Sequence, residues 1–544
     1  MSRLREDRLN VVCRQGLKLP GRYSEYKYKY PGHVNSWRLS ECNHCCGGVR
    51  ILANPSFCID SSVEMVLSFE PCFLPRVRSC LSFVHLSPSP TVMHILRQMV
   101  PSRDHLTTLL RLAIPVATIQ VGVIFMGVVD AVMVGHVSAT DLAAVALGNL
   151  YFVMAVSFGL GTLFALDPLV SQAFGGGDRA AISRELQRGL ILAMGLAMIS
   201  SLLLVPGRPF LTALRQPPDV IPLAADYALV SIPGLLPFLV FVALRQSLQS
   251  MGKVAPIVVA ILVANLANVF FNWILIFGNL GAPAMGAVGS GWATTLSRWL
   301  MVLALLGRSW SLLGPYLRPL HRNAIQIGPL WKTFKLGAPI GIQFVLEFGI
   351  FGVIGVLMGS LGTVSMASHQ VAINLASLTF MMAIGVTQAT TILVGQAVGA
   401  GDPARARKSA GAGLLIVSVL MTLTGATFLS VPSVLARIYT TDTAVVALAA
   451  TLIPVAGIFQ IFDGLQAVAS GVLRGVGDTL APMVVNLIGF WLIGLPVSLY
   501  LGFPGGLGPL GLWWGMAVGL AAVATALLLR VRVRLSRNLT RLTL

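Results

Sequence analysis

The sequence predicts an all-α membrane protein, with twelve transmembrane helices in two homologous six-helix lobes. Two observations carry that reading. The first is composition: the 544 residues are 56% hydrophobic and only 11% charged, with a mean hydropathy of +0.81. A soluble chain of this length cannot hide so much apolar surface, whereas a polytopic membrane protein presents it to lipid. The second is an internal duplication. Val170–Asp178 reads VSQAFGGGD and Val394–Asp402 reads VGQAVGAGD, an offset of 394 − 170 = 224. LAIP ends at Pro115 and LGAP at Pro339, and 339 − 115 is again 224. A strongly apolar unit written twice, with an equivalent break in each copy, is the pattern of secondary transporters.

From about Thr107 the apolar runs recur at regular intervals. They predict helices 1–6 over 107–134, 142–172, 185–206, 221–249, 255–278 and 285–307. Helices 7–12 follow over 332–358, 364–396, 408–430, 443–474, 481–502 and 511–533. Most are long enough to cross about 30 Å of hydrocarbon at roughly 1.5 Å per residue. The N-terminal lobe is therefore placed at 103–310, a cytoplasmic linker at 311–331, the C-terminal lobe at 332–533 and a basic tail at 534–544. Pro115 and Pro339 are read as punctuation near the starts of helices 1 and 7, and Pro256 and Pro482 near those of helices 5 and 11.

Residues 1–92 differ in character. They are polar and basic, and all seven cysteines of the chain lie before residue 81. The CNHCC stretch from Cys42 to Cys46 has thiolate spacing that suits zinc, but no second spaced pair and no histidine partner beyond His44. The extension is read as disordered, or as sequence upstream of a start at Met93 or Met99, and no metal is expected.

Charge distribution sets orientation. The formal net charge is +18, and the basic residues sit between apolar runs, where a membrane surface accounts for them better than nucleic acid does. After even-numbered helices come Arg179, Arg184, Arg188, Arg245, Lys253, Arg308, Arg318, Arg322, Lys332, Lys335, Arg405, Arg407, Lys408 and Arg474. After odd-numbered helices come only Arg208, Arg215 and Arg437. Fourteen against three places both termini in the cytoplasm of a multi-pass plasma (inner) membrane protein. An even number of spans per half relates the lobes by an axis along the membrane normal.

Four carboxylates fall inside predicted spans: Asp130, Asp167, Glu347 and Asp463. A charge at mid-membrane costs at least roughly 2.5–3.5 kcal/mol, so each needs an interior or aqueous setting. Such acids are candidates to carry a proton or bind sodium; the alternative is an acid that only holds helices together. Asn265, Asn268 and Asn272 lie on helix 5, the last two four residues apart and so on one face. Gln370 and Asn374 form a second four-spaced pair on helix 8. Asp226 is expected at the interface.

Several separate stretches resemble one known family. MGVVDAVMVGHVSATDLAAVALG, FALDPLVSQAFGGGD, ANVFFNWILIFGNLGAPAMGAVGSGWAT and SHQVAINLASLTF are together similar to the multidrug and toxic-compound extrusion (MATE) family. The likeness runs from about Arg103 to Arg530, and the acid pattern looks like the NorM-like branch. The resemblance implies a V-shaped antiporter that exports amphipathic, often cationic small molecules in exchange for Na⁺ or H⁺. It implies a coupling site of Asp130, Asn268 and Asn272 in the N-lobe and one of Glu347 and Asp463 in the C-lobe. Asp167, Gln370, Asn374 and Phe459 are candidates for the substrate cavity or gating. Phe459 is a departure, because the pattern has a Tyr one turn before the helix 10 Asp and the hydroxyl is lost here.

Other readings are weaker. A flippase-like exporter of a lipid-linked substrate would place Arg or Lys inside its spans, and only Arg298 is expected there. Another six-plus-six carrier would share the topology without these motifs. An enzyme is not expected, since HExxH, GxSxG and P-loop patterns are missing and the membrane body has no cysteine. No cofactor beyond the coupling ion, no nucleic-acid partner and a monomeric state are the remaining expectations.

Overall fold

The computed structural model describes residues 23–30, 33–40, 99–214 and 216–542. The chain divides into two compact units, Met1–Leu86 and Ser87–Leu544. In the first, β1 (Tyr23–Tyr30) pairs antiparallel with β2 (His33–Ser40), Tyr26 opposite Trp37. The sequence signal for this hairpin is the period-two alternation of Tyr and Lys in YKYKY. The seven cysteines and the CNHCC stretch lie outside the described residues.

Among the described residues, the second unit carries twelve helices long and apolar enough to span a membrane. They are α1 (Arg103–Gly135), α2 (Ala139–Gly175), α3 (Arg179–Leu204), α4 (Ile221–Ser250), α5 (Ala255–Leu275) and α6 (Gly286–Leu317). The second set is α7 (Ile327–Ser360), α8 (Thr363–Gly399), α9 (Pro403–Ser430), α10 (Thr443–Gly475), α11 (Leu480–Gly502) and α12 (Gly508–Ser536). Helix count and order match the sequence expectation. Several boundaries differ: α3 and α9 begin earlier than expected, α6 runs on to Leu317 into the expected linker, and α1 and α7 begin earlier, so Pro115 and Pro339 lie inside their helices rather than near their starts. The first turns of both helices carry polar and basic residues that interrupt the apolar run, and run length alone therefore places the starts too late. Pro256 does open α5. Asp226 is half-buried and pairs with exposed Arg208 at 3.1 Å, a setting that suits the interface.

The duplicated nonapeptide forms the same turn twice. Asp178 and Asp402 are N-caps, each accepting a backbone N–H at 2.9 Å, from Ala181 and Arg405. Each satisfies one of the orphan amides at the start of the next helix. Gly177 and Gly401 adopt φ of +69° and +71°, where any other residue would be strained. Gly175 and Gly399 allow α2 and α8 to meet. A Cβ on Gly175 would collide with the Gln396 carbonyl, and one on Gly399 would collide with that of Gln172. The reciprocity is what a two-fold axis between α2 and α8 produces.

Side chains reinforce this seam in equivalent pairs. Gln172 Nε2 donates to the Gly475 carbonyl at 2.9 Å, and Gln396 Nε2 donates to that of Ser250 at 2.8 Å. The chain end adds to it, with Leu542 N donating to Gln172 Oε1 at 2.8 Å and Arg541 Nη2 to Asp178 Oδ2 at 2.9 Å. The Ala181 amide, and after it Arg541, hold the Asp178 carboxyl below the usual carboxylate range. Apolar packing across the lobes also belongs to this end: Leu109 and Ala113 of α1 pack with Val386 and Leu393 of α8, and Phe164 with Ile340. Towards the opposite end, each lobe packs on itself, around Tyr227 and Ile276 in one and Phe459 and Trp513 in the other. The lobes are thus joined at the basic-loop end.

Among the described side chains, three of the fourteen arginines and lysines counted after even-numbered helices are enclosed by the bundle. Arg188, Arg245 and Arg474 are buried in α3, α4 and α10, leaving 14 − 3 = 11 against three. The expectation that span interiors hold only Arg298 is corrected with them.

A cysteine pair tests whether the seam opens. A Cβ on Gly395 would sit 3.1 Å from that of Ser171, near the roughly 3.5–4.5 Å that a disulfide spans. With the native cysteines replaced by serine, Ser171→Cys/Gly395→Cys should crosslink on oxidation and arrest the transport that the family resemblance implies until a reductant is added. Full transport by the oxidised protein would show that the lobes do not part there.

Candidate functional site

Asp130 lies towards the C-terminal end of α1, buried against α5 and α6. Its Oδ1 accepts from Asn272 Nδ2 at 2.6 Å and from Asn268 Nδ2 at 3.0 Å, and its Oδ2 accepts from Thr294 Oγ1 at 2.5 Å. The four-residue spacing on α5 puts both amides on one face, as expected. Asn268 also donates to Thr294 at 3.3 Å, and Asn272 donates to Asn268 Oδ1 at 3.2 Å. Three donors on one carboxylate offset the cost of taking it out of water. The Asn272 Oδ1 is buried without a partner. Together with the carboxylate, the Asn268 oxygen and the Thr294 hydroxyl, it forms an oxygen-rich group of the kind that suits a hard monovalent cation. A proton on Asp130 would instead need only the carboxylate itself.

Asn265 points elsewhere, donating to the Gly122 and Ile261 carbonyls at 2.9 Å each and tying α5 to α1. Arg298, one turn beyond Thr294 on α6, sits 4.0 Å from the Phe152 ring centre and 5.2 Å from that of Phe238. Its charge reaches Asp130 and Tyr227, and cation–π contact replaces some of the hydration it has lost.

In the C-lobe, Glu347 Oε1 accepts from Gln466 Nε2 at 2.8 Å and from Asn486 Nδ2 at 3.1 Å. Asp463 lies within electrostatic reach of Glu347, and among the described residues nothing hydrogen-bonds to it. Two acids facing one another repel when both are ionised, so a cation or proton between them relieves the site. Asn486 immediately precedes a π-helical stretch of α11, Leu487–Gly494, and such local widening re-aims side chains. Phe459 is buried, edge-on to Phe351 at 6.1 Å and to Trp513 at 5.7 Å. The void it lines is only about 10 Å³, too small for a substrate. Phe459 is thus packed into the lobe core.

The remaining candidates separate. Asp167 is buried near the seam, accepting from Gln246 Nε2 at 3.0 Å, with the charges of Arg474 and Arg245 acting on it. Arg245 itself donates to Gln120 Oε1 at 3.0 Å. This network joins α2 to α4 and α10, well away from Asp130. Gln370 and Asn374 are exposed on α8 and bonded to each other at 3.3 Å. Thr294, Gln466 and Asn486 escape the sequence reading. Gln466 has a legible signal, since it lies one turn after Asp463, whereas Thr294 and Asn486 are single polar residues in apolar runs.

Both halves of the chain match known proteins. A family model described as MatE matches residues 115–274 and 339–500, one segment in each lobe. The multidrug resistance protein MdtK of Edwardsiella ictaluri (strain 93-146) is 34% identical over 437 residues, covering 78% of this chain and 94% of the relative. The multidrug resistance protein NorM of Photobacterium profundum is 34% identical over 432 residues, 78% of this chain and 94% of its own length. Among solved structures, the eukaryotic MATE transporter AtDTX14 superposes with a TM-score of 0.73 at 23% identity, over 81% of this chain and 99% of that one. A transporter of the MOP superfamily from Pyrococcus furiosus Vc1 gives 0.72 at 17% identity, over 81% and 98%. The duplicated six-helix lobes, the acids within them and these matches over both halves lead to one conclusion: the chain belongs to the MATE family of transporters.

Proposed function

We propose that this multi-pass membrane protein is a secondary antiporter that exports amphipathic, often cationic small molecules in exchange for Na⁺ or H⁺. The observation that carries this reading is a buried or half-buried acid site in each lobe, Asp130 in one and Glu347 with Asp463 in the other, in lobes pinned together at one end only. The relatives named for multidrug resistance support the substrate class. The reading makes the protein a transporter and no enzyme. It places a monomer in the plasma (inner) membrane with both termini cytoplasmic, in line with the eleven remaining cations on that side.

The cycle needs two arrangements of the lobes and a coupling ion whose affinity differs between them. In the present arrangement the Gly175–Gly399 crossing closes the cytoplasmic end, and the exposed Gln370–Asn374 pair on α8 fits a water-filled cleft open to the other side. Entry of Na⁺ or H⁺ at Asp130 or between Glu347 and Asp463 neutralises the charge that held a cationic substrate, which then leaves. Parting of the seam returns the cleft to the cytoplasm. A flippase-like reading finds some support in the buried arginines, but Arg188 is paired with Glu185, and Arg245 and Arg474 act on Asp167. Arg474 acts on Glu347 as well, so acids of the bundle itself offset these charges.

Ethidium efflux in energised cells, driven by an imposed sodium gradient and then by a proton gradient, is the direct test. Efflux under neither gradient would overturn the antiporter reading. Asp130→Asn and Asp463→Asn should each reduce efflux to background while the protein still reaches the membrane; wild-type efflux by both would remove these acids from the mechanism. Thr294→Val deletes a hydrogen bond to a charged group, worth about 1.5–3 kcal/mol. In a sodium-coupled protein it should raise the sodium concentration for half-maximal efflux roughly tenfold or more, with Thr294→Ser restoring it. An unchanged sodium dependence would exclude the hydroxyl from the site.

A further inference from the structure

A second cavity lies at the basic-loop end, outside the seam and both acid sites. It is a cleft of about 520 Å³ between the end of α2, the start of α3, the turn after α4, and the last turns of α6 with the segment after them. Arg179, Lys253 and His321 line it together with Ser311, Tyr316 and the exposed ring of Phe174. The ion pairs among the described residues are Arg188–Glu185, Arg208–Asp226, Arg530–Asp478 and Arg541–Asp178. Neither Arg179 nor Lys253 takes part in one. Asp178, next to Arg179 in the chain, is occupied by Arg541 and by the Ala181 amide, so the acid nearest in sequence does not neutralise the cleft.

The duplication shows that this charge is particular to one lobe. Pro403 stands where the first lobe has Arg179 (403 − 179 = 224). In the register of the seam pair, 475 − 250 = 225, Asp478 stands where the first lobe has Lys253. Asp478 is itself neutralised by Arg530 at 2.9 Å. The first lobe therefore has two cations outside any ion pair where the second has a proline and a paired acid. Exposed Trp310 and Trp331 flank the segment that forms one wall, as aromatic side chains do at the edge of the hydrocarbon.

We propose that this cleft binds a phosphate group, and specifically that of an anionic phospholipid in the leaflet facing the basic loops. Arg179 and Lys253 hold the phosphate, Ser311 and Tyr316 offer hydroxyls to its oxygens, and Phe174 lies against an acyl chain. Basic pockets between spanning helices at a membrane surface recognise anionic headgroups in this way. The site is separate from the coupling acids, and the inference requires only that the protein spans a membrane.

The test uses the full chain purified in neutral detergent, with thermal unfolding followed while phosphatidylglycerol or phosphatidylcholine is titrated in. Phosphatidylglycerol should raise the unfolding midpoint in a saturable way and phosphatidylcholine should not. Arg179→Gln/Lys253→Gln should weaken the apparent affinity about 30-fold, each cation contributing roughly a factor of five. Arg405→Gln, an exposed cation in the corresponding loop of the other lobe, should leave it unchanged. Glycerol phosphate, titrated alone, separates the sources: the same variant-dependent shift without lipid would keep the phosphate site and assign it to a soluble ligand. If phosphatidylglycerol acts equally on the wild type and on Arg179→Gln/Lys253→Gln, or no better than phosphatidylcholine, the proposal is overturned. No gradient enters the measurement, so its outcome is independent of the antiporter reading.

Discussion

Hydrocarbon supplies no hydrogen bonds, and that constraint shapes the helical body. Every backbone amide in a lipid-facing segment must be satisfied within the protein, which leaves helices as the spanning element here. Each acid carried into the body needs donors or a counter-charge: Asp130 has two amides and a hydroxyl, Glu347 two amides, and Asp167 an amide and two arginines. Asp463 is the exception, facing another acid with no donor of its own among the described residues. A group in that condition has the most to gain from an incoming cation or proton. In the proposed cycle this makes the C-lobe pair the more responsive of the two sites.

The same constraint bears on how the lobes meet. Two helices in lipid gain little from hydrophobic contact and associate where small residues let backbones approach. Gly175, Gly395 and Gly399 provide that approach between α2 and α8, and Gly161 and Gly385 do the same between α2 and α7 and between α1 and α8. A seam built of glycine contacts and a few hydrogen bonds from Gln172 and Gln396 has little side-chain interlocking to undo. It suits a joint that opens and closes, while the larger residues are held within each lobe.

Duplication did not keep the two lobes alike. Their shared parts are those that make the seam: the capping aspartates, the left-handed glycines and the glutamines. The acid sites differ in residue type, position along the helices and number of carboxylates, and the two cations of the basic cleft have no counterpart in the second lobe. Symmetry is retained where the halves touch each other. It is lost at the positions proposed to meet an ion, a substrate or lipid.

Much of this is legible in the chain itself. Apolar run length and the 224-residue repeat determine the number, order and pairing of the helices, because spanning a bilayer is a matter of local composition. Asp130 with Asn268 and Asn272 is also readable, since the two amides share one helical face and family resemblance supplies the acid. Thr294 and Asn486 do not stand out, because they meet their acids only across packed helices, at sequence separations that no local pattern records; Gln466 is marked only by its place one turn after Asp463. Gln370 and Asn374 pair as their spacing implies, but Phe459 is buried in its lobe and Asp167 serves the seam. Arg188, Arg245 and Arg474 read as surface charges until the helices that enclose them are in place. Periodicity reports what one helix offers to its surroundings; which carboxylate becomes a site depends on what the neighbouring helices bring to it, and that is decided only when they pack.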